Sequence, residues 1–159
     1  MSFPQPARVV LTHPAGWIAS GIGIGLSPVA PGTMGSLAAL LPWWFYLQHA
    51  SLPVQLTIIG ATFVVGVVTA NWVIEKTGVQ DPSVVVLDEF IGQWIALLLA
   101  PAGLIWMALG FGLFRLFDIW KPWPVRQSQC LPGGWGVTVD DLLAAAYVAL
   151  VSLPVLRWW

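Results

Sequence analysis

Residues 53–76 read PVQLTIIGATFVVGVVTANWVIEK, with no charge until Glu75 and Lys76. Pro53 suits a helix start, where its missing N–H costs nothing. About 20 apolar residues cross a bilayer as a helix, so this run is long enough to span one. Composition agrees. Only 8% of the 159 residues are charged and 58% are apolar, with mean hydropathy +0.82. A soluble domain carries about 25% charge. The surface must be largely apolar, and lipid tolerates that. Eleven Trp residues suit a membrane–water interface, and Arg157-Trp158-Trp159 reads as such an anchor. The length fits one unit, residues 1–159.

Outward from that run the pattern repeats as apolar stretches broken by Gly/Pro-rich loops. Residues 1–20, interrupted by Arg8, His13 and Pro14, read as an interfacial segment. Ser27 to Thr33 holds two prolines and a glycine and reads as a loop, with a helix from Gly35 or Ser36 to Gln48. Further helices are expected over 84–100, 104–120 and 138–156. The expected fold is an all-α, multi-pass transmembrane bundle of about four to five membrane-embedded helices, with Gly/Pro-rich loops on the active side. The N-terminus lacks a secretory signal pattern, and the single Cys130 excludes an internal disulfide. A net charge of −1 gives no footing for nucleic acid.

Pro101 has two readings. As a kink, it puts Asp88 and Asp118 on opposite sides of the membrane. As a hairpin, it gathers Glu75, Asp81, Asp88, Glu89, Asp118, Asp140 and Asp141 on one side. Lys76, Arg115, Lys121 and Arg126 fall there too. The hairpin is favoured, because scattered carboxylates in lipid cost several kcal/mol each. Lys and Arg mark the cytoplasmic side, so that side is expected to face the cytoplasm.

Asp88-Glu89 and Asp140-Asp141 each open an expected helix. Acids there complement the helix dipole, but two adjacent acids, twice, exceed that need. Gly92 lets another helix approach. Arg115, Asp118 and Lys121 recur at spacings of three, on one helix face. They are a self-neutralising stripe or a phosphate grip with a metal ligand. Clustered carboxylates with almost no His or Cys select a hard cation such as Mg²⁺. No Cys nucleophile with an Arg six residues on, no placed His, no Asp-x-Asp and no Walker loop is present. Gly21-Ile22-Gly23-Ile24-Gly25 has the wrong spacing for a dinucleotide fingerprint and permits close packing. Metal-assisted attack by water is the simplest remaining chemistry, with an attacking Asp or Thr33 still open.

Four blocks, in order, resemble the phosphatidylglycerophosphatase A family. They are Ser27 to Leu37, Gln80-Asp81-Pro82-Ser83 running on to Asp88–Trp94, Arg115 to Pro124, and Gly133 to Asp141. The resemblance implies a Mg²⁺-dependent, multi-pass phosphatase of the bacterial inner (cytoplasmic) membrane. Its substrate would be phosphatidylglycerol phosphate, cleaved to phosphatidylglycerol and inorganic phosphate. It implies a site of Asp81, Asp88, Glu89, Arg115, Asp118, Lys121, Asp140 and Asp141, with residues 27–36 as a lid or phosphate-facing wall. On this expectation Asp88, Glu89, Asp118 and one of Asp140 or Asp141, with Asp141 preferred, hold Mg²⁺. Arg115 and Lys121 grip phosphate, Thr33 and Ser36 offer hydroxyls, and Asp81 supports. The rival is an ion-binding or transporter protein using the same carboxylates.

Overall fold

The computed structural model describes the backbone of residues 5–156 and the side chains of residues 7–153. The expected anchor at 157–159 and residues 1–4 lie outside the described residues. Eight α-helices are described: α1 Gln5–Thr12, α2 Pro14–Ala19, α3 Pro31–Phe45, α4 Leu52–Thr77, α5 Leu87–Leu97, α6 Leu104–Trp120, α7 Val125–Ser128 and α8 Gly134–Leu156. Among the described residues there is no strand.

α4 is the helix foreseen from residues 53–76. It ends at Gly78, whose φ of 69° lets its N–H reach Ile74 O at 2.8 Å. α4 and the Gly134–Leu153 stretch of α8 are long and apolar enough to cross a membrane. α3, α5 and α6 are shorter. At 1.5 Å per residue, α5 rises only about 16 Å, against a hydrocarbon core of about 30 Å. The expected four to five spans thus become two helices of spanning length with shorter ones packed among them.

The outer face is apolar. Val64 and Val68 on α4, Leu41 on α3, Ile105 on α6 and Leu150 on α8 are all more than 60% exposed. A water-soluble fold would cover such a surface. Inside, the Trp94 indole donates to Ala39 O at 2.8 Å and ties α5 to α3.

The turn at Pro101 is a hairpin. A side chain at Gly92 would strike the Phe114 ring, and one at Gly110 would strike Leu97. Those pairings place α5 and α6 antiparallel, so Asp88 and Asp118 share an end. The 1–20 segment corresponds to α1 and α2, which pack on α4. Gly25 lies against the Val84 backbone, the close approach expected of the 21–25 stretch.

Two helix starts differ from expectation. α3 begins at Pro31, so Pro31, Gly32 and Thr33 are helical and not loop. Proline at the first position needs no N–H partner, and Ala30, at φ 44°, makes the sharp entry. α8 begins at Gly134, four residues before Thr138. The Gly134 N–H donates to Asn71 Oδ1 at 2.8 Å, and its missing side chain leaves room for the Val67 backbone of α4. The glycines there admit a neighbouring helix and do not break their own. α5 is shorter than 84–100, because Val86 N–H leaves the helical path to bond Ala19 O at 2.9 Å.

Candidate active site

The starts of α3 and α5, the end of α6 and the second turn of α8 converge on one cavity of about 280 Å³. Asp88 and Glu89 come from the first turn of α5, Asp118 from the end of α6, and Asp140 and Asp141 from α8. All five are buried. Because α8 starts at Gly134, Asp140 and Asp141 lie well inside the helix, so dipole complementation does not account for them.

Arg115 stands behind this group. Its Nη1 lies 2.5 Å from Glu89 Oε2 and 2.9 Å from Asp118 Oδ2, and donates to Ser36 Oγ at 3.2 Å. Ser36 Oγ lies 2.7 Å from Glu89 Oε2 and 3.0 Å from Gly32 O. Gly32 has no room for a side chain, because a Cβ there would collide with Glu89 Oε1. α3 therefore closes over Glu89 with a glycine and a serine.

Lys121 takes the other flank. It caps α6 in a left-handed conformation, φ 47°. Its Nζ lies 2.5 Å from Asp140 Oδ2 and 3.9 Å from Asp118 Oδ1. Gln129 Nε2 also donates to Asp140 Oδ2, at 3.0 Å. Asp140 is therefore occupied by Lys121 and Gln129. Asp141 is not: its Oδ2 is buried without a hydrogen-bond partner.

Glu89, Asp118 and Asp141 each offer a carboxylate oxygen, and the three lie within 4.8 Å of one another. Asp88 lines the same cavity, and its Oδ1 accepts the Glu89 N–H at 3.0 Å. Two cations, Arg115 and Lys121, face five buried carboxylates. That excess of negative charge, the all-oxygen donor set and the orphaned Asp141 oxygen fit a hard divalent cation. Asp88 and Lys121 lie outside both helices of spanning length. Burial first, then the charges of Glu89 and Asp140, push the Asp88 carboxyl well above the usual carboxylate range. Burial draws the Lys121 ammonium down, but its bond to Asp140 and the nearby acids outweigh that and raise it.

The expected residues are thus largely brought together. Asp81 lines the cavity at its exposed mouth, with Ser83 and Ile119. Thr33, Ser36 and Arg115 are not in the cavity wall, and Ser36 is buried against Glu89. Arg115 is committed to carboxylates, and Thr33 lies beside Gly32 without lining the cavity. Glu75, Lys76 and Arg126 are exposed and do not line it either. Gln129 and Asn71 were not foreseen. Gln129 belongs to no pattern, whereas Asn71, a carboxamide in a spanning run, is the kind of signal that repays attention.

Comparison with known proteins adds an independent line. The family model described as Phosphatidylglycerophosphatase A matches residues 17–156. A protein named Phosphatidylglycerophosphatase A from Escherichia coli (strain K12) is 38% identical over 155 residues, 96% of this chain and 90% of that one. Its namesake from Haemophilus influenzae is 35% identical over 153 residues, 95% and 94% of the two chains. A Bacteroides thetaiotaomicron protein, provisionally named a phosphatidylinositol-3-phosphatase, is 39% identical over 147 residues, 89% and 92% of the two. No solved structure matches the chain.

Proposed function

The chain belongs to the phosphatidylglycerophosphatase A family, and on that premise we propose that it hydrolyses phosphatidylglycerol phosphate to phosphatidylglycerol and inorganic phosphate, with Mg²⁺. The observation that carries the reading is the trio Glu89, Asp118 and Asp141, within 4.8 Å of one another and beside Lys121. These three, with Asp88 from the same cavity wall, would hold the cation. When bound, it supplies positive charge to the phosphoryl oxygens and makes water more acidic.

The other roles belong to the chain itself. Lys121, in the cavity wall, binds the terminal phosphate as a point charge. Arg115 orients Glu89 and Asp118 and lends its charge from behind; its Nε is buried without a partner. Asp81, open to water, receives the proton of the attacking water. Water attacks phosphorus as it gives that proton to Asp81, the P–O bond to the headgroup glycerol breaks, and the leaving oxygen takes the proton back from Asp81 through solvent.

Lys76, Arg115, Lys121 and Arg126 lie toward the cavity end, the bias of a cytoplasmic face. We therefore place the protein in the bacterial inner membrane with its site toward the cytoplasm. An ion pathway is not favoured, since no charged residue lies between Gln93 and Arg115.

The test is phosphate release by the detergent-purified protein, with Mg²⁺ or EDTA. The substrates are phosphatidylglycerol phosphate, phosphatidylinositol 3-phosphate, phosphatidic acid and glycerol 3-phosphate. Mg²⁺-dependent release favouring the first is expected, lost in Asp88→Asn and Asp118→Asn with membrane insertion intact. Full activity in Asp88→Asn would sink its metal assignment. Preference for the inositol lipid would reassign the substrate.

A further inference from the structure

α3 and α6 run antiparallel, yet they touch sparingly. Near one end Arg115 donates to Ser36. Near the other, Trp44 and Phe45 share a pocket of about 360 Å³ with Ala102 and Gly103. Between those points helical spacing from Trp44 and from Arg115 carries one stripe along each side of the seam. On α3 it is Thr33, Leu37, Leu40 and Trp44, at spacings of four and three. On α6 it is Ala108, Gly112, Arg115 and Ile119, at the same spacings. Leu37 is 42% exposed and Ile119 70%. A Cβ built on Gly112 would meet nothing within 4 Å.

The seam is continuous with the carboxylate cavity. Gly32 of α3 and Ile119 of α6 both line that cavity, and Ile119 is also open to the outer face. The cavity mouth is thus two-sided. Polar Asp81 and Ser83 and apolar Ile119 are all exposed there. From Gly32 to Trp44 the seam runs about 18 Å at 1.5 Å per residue. That is more than half of a hydrocarbon core of about 30 Å. An apolar groove that ends in a carboxylate cavity suited to a divalent cation, with Lys121 in its wall, matches one kind of molecule, an amphiphile with an acyl tail and a phosphate head. The apolar face of α4, around Val64 and Val68, leads to no such cavity.

We propose that the seam between α3 and α6 is the lateral entry and chain-binding groove of the substrate. An acyl chain lies along Leu37 and Gly112 while its phosphate monoester passes between Gly32 and Ile119. The proposal rests on the phosphatase reading above and adds to it a route from the bilayer and a site for the tail.

Gly112→Phe tests it, because the added ring enters the groove where a Cβ meets nothing within 4 Å, and the short-chain substrate reports any effect on the phosphate site itself. Gly112→Leu repeats the test with a smaller side chain. Gly60→Phe is the control: a Cβ on Gly60, in α4, also meets nothing within 4 Å, away from the seam. Two readouts are needed. The first is the KM for long-chain phosphatidylglycerol phosphate beside its water-soluble diacetyl analogue. Gly112→Phe is expected to raise the long-chain KM at least tenfold more than the short-chain KM, and Gly60→Phe to move neither. The second is photolabelling by the long-chain lipid carrying a diazirine in its tail, mapped by peptide. Label is expected on α3 and α6, and lost in Gly112→Phe. Labelling spread evenly over α4 and α8, or unchanged in Gly112→Phe, overturns the proposal. So does an equal rise in both KM values. If the wild type cleaves neither substrate, the phosphatase reading fails, and the labelling still decides the groove.

Discussion

Gly92 and Asp141 are in register across the α5–α8 interface: a Cβ at position 92 would stand 3.0 Å from the Asp141 Cβ, and closer still to the Phe114 ring. The glycine sets how near the α8 carboxylate comes to those of α5 and α6. Gly92→Ala should push α8 and α6 away. Overpacking of this kind costs about 1–3 kcal/mol. Thermal melting in detergent should show that loss. Phosphate release should fall at least tenfold in protein that is still folded, because the Glu89–Asp118–Asp141 spacing has opened. Wild-type turnover in Gly92→Ala would mean that the trio tolerates a wider spacing.

Arg115 presents a planar fork to Glu89 and Asp118, and lysine is not its equal there. Arg115→Lys should lower turnover at least tenfold while keeping the fold. Arg115→Met should go further, since stripping one partner from a buried ion pair costs about 3–5 kcal/mol. The order wild type, Lys, Met should hold in both melting temperature and activity. A more stable Arg115→Met would show that the carboxylates do not need the guanidinium.

Mg²⁺ should stabilise the protein as well as activate it. A ligand at 100 times its Kd adds about 2.7 kcal/mol to the folded state. The melting temperature should therefore climb with Mg²⁺ and fall back with EDTA. Asp141→Asn should abolish the climb, because Asp141 Oδ2 is the buried oxygen left open. Asp140→Asn should retain most of it, because Lys121 and Gln129 already occupy that side chain. Equal loss in both variants would argue for two cations, or for a pair acting as one ligand.

Lys121 joins the cavity wall to Asp140, so Lys121→Met removes a phosphate contact and strands a carboxylate. kcat/KM for phosphatidylglycerol phosphate should drop at least tenfold, about 1.4 kcal/mol of transition-state binding. Competitive inhibition by inorganic phosphate should weaken in parallel. Unchanged phosphate inhibition would assign Lys121 to holding Asp140 alone.

Much of the site was legible because its chemistry is local in sequence. Two acid pairs, and Arg115, Asp118 and Lys121 three apart, need only a helix to come together. α6 was legible at both ends, with Gly103 before it and Lys121-Pro122 after it. The starts of α3 and α8 were not, because Pro31 and Gly134 carry signals that usually break helices. Their reason lies in the partner helix: a side chain at 134 would strike Val67 O. The commitment of Arg115 to Glu89 is likewise tertiary. Spacing puts an arginine on a face, but the neighbouring helix decides whether it meets a ligand or a carboxylate.

The start of α8 at Gly134 has a mechanical consequence. Asp141 lies seven residues further along, about 10 Å down the helix axis. If α8 spans the bilayer with Gly134 at the water boundary, the carboxylates would sit about a third of the way into a hydrocarbon core of about 30 Å. On the proposed activity, a lipid phosphate would then have to sink that far from the headgroup plane, and the leaflet around the mouth would dimple to let it. On that placement the bilayer's own stiffness would become part of the barrier to turnover, and phosphate release should be faster in a thinner or softer membrane.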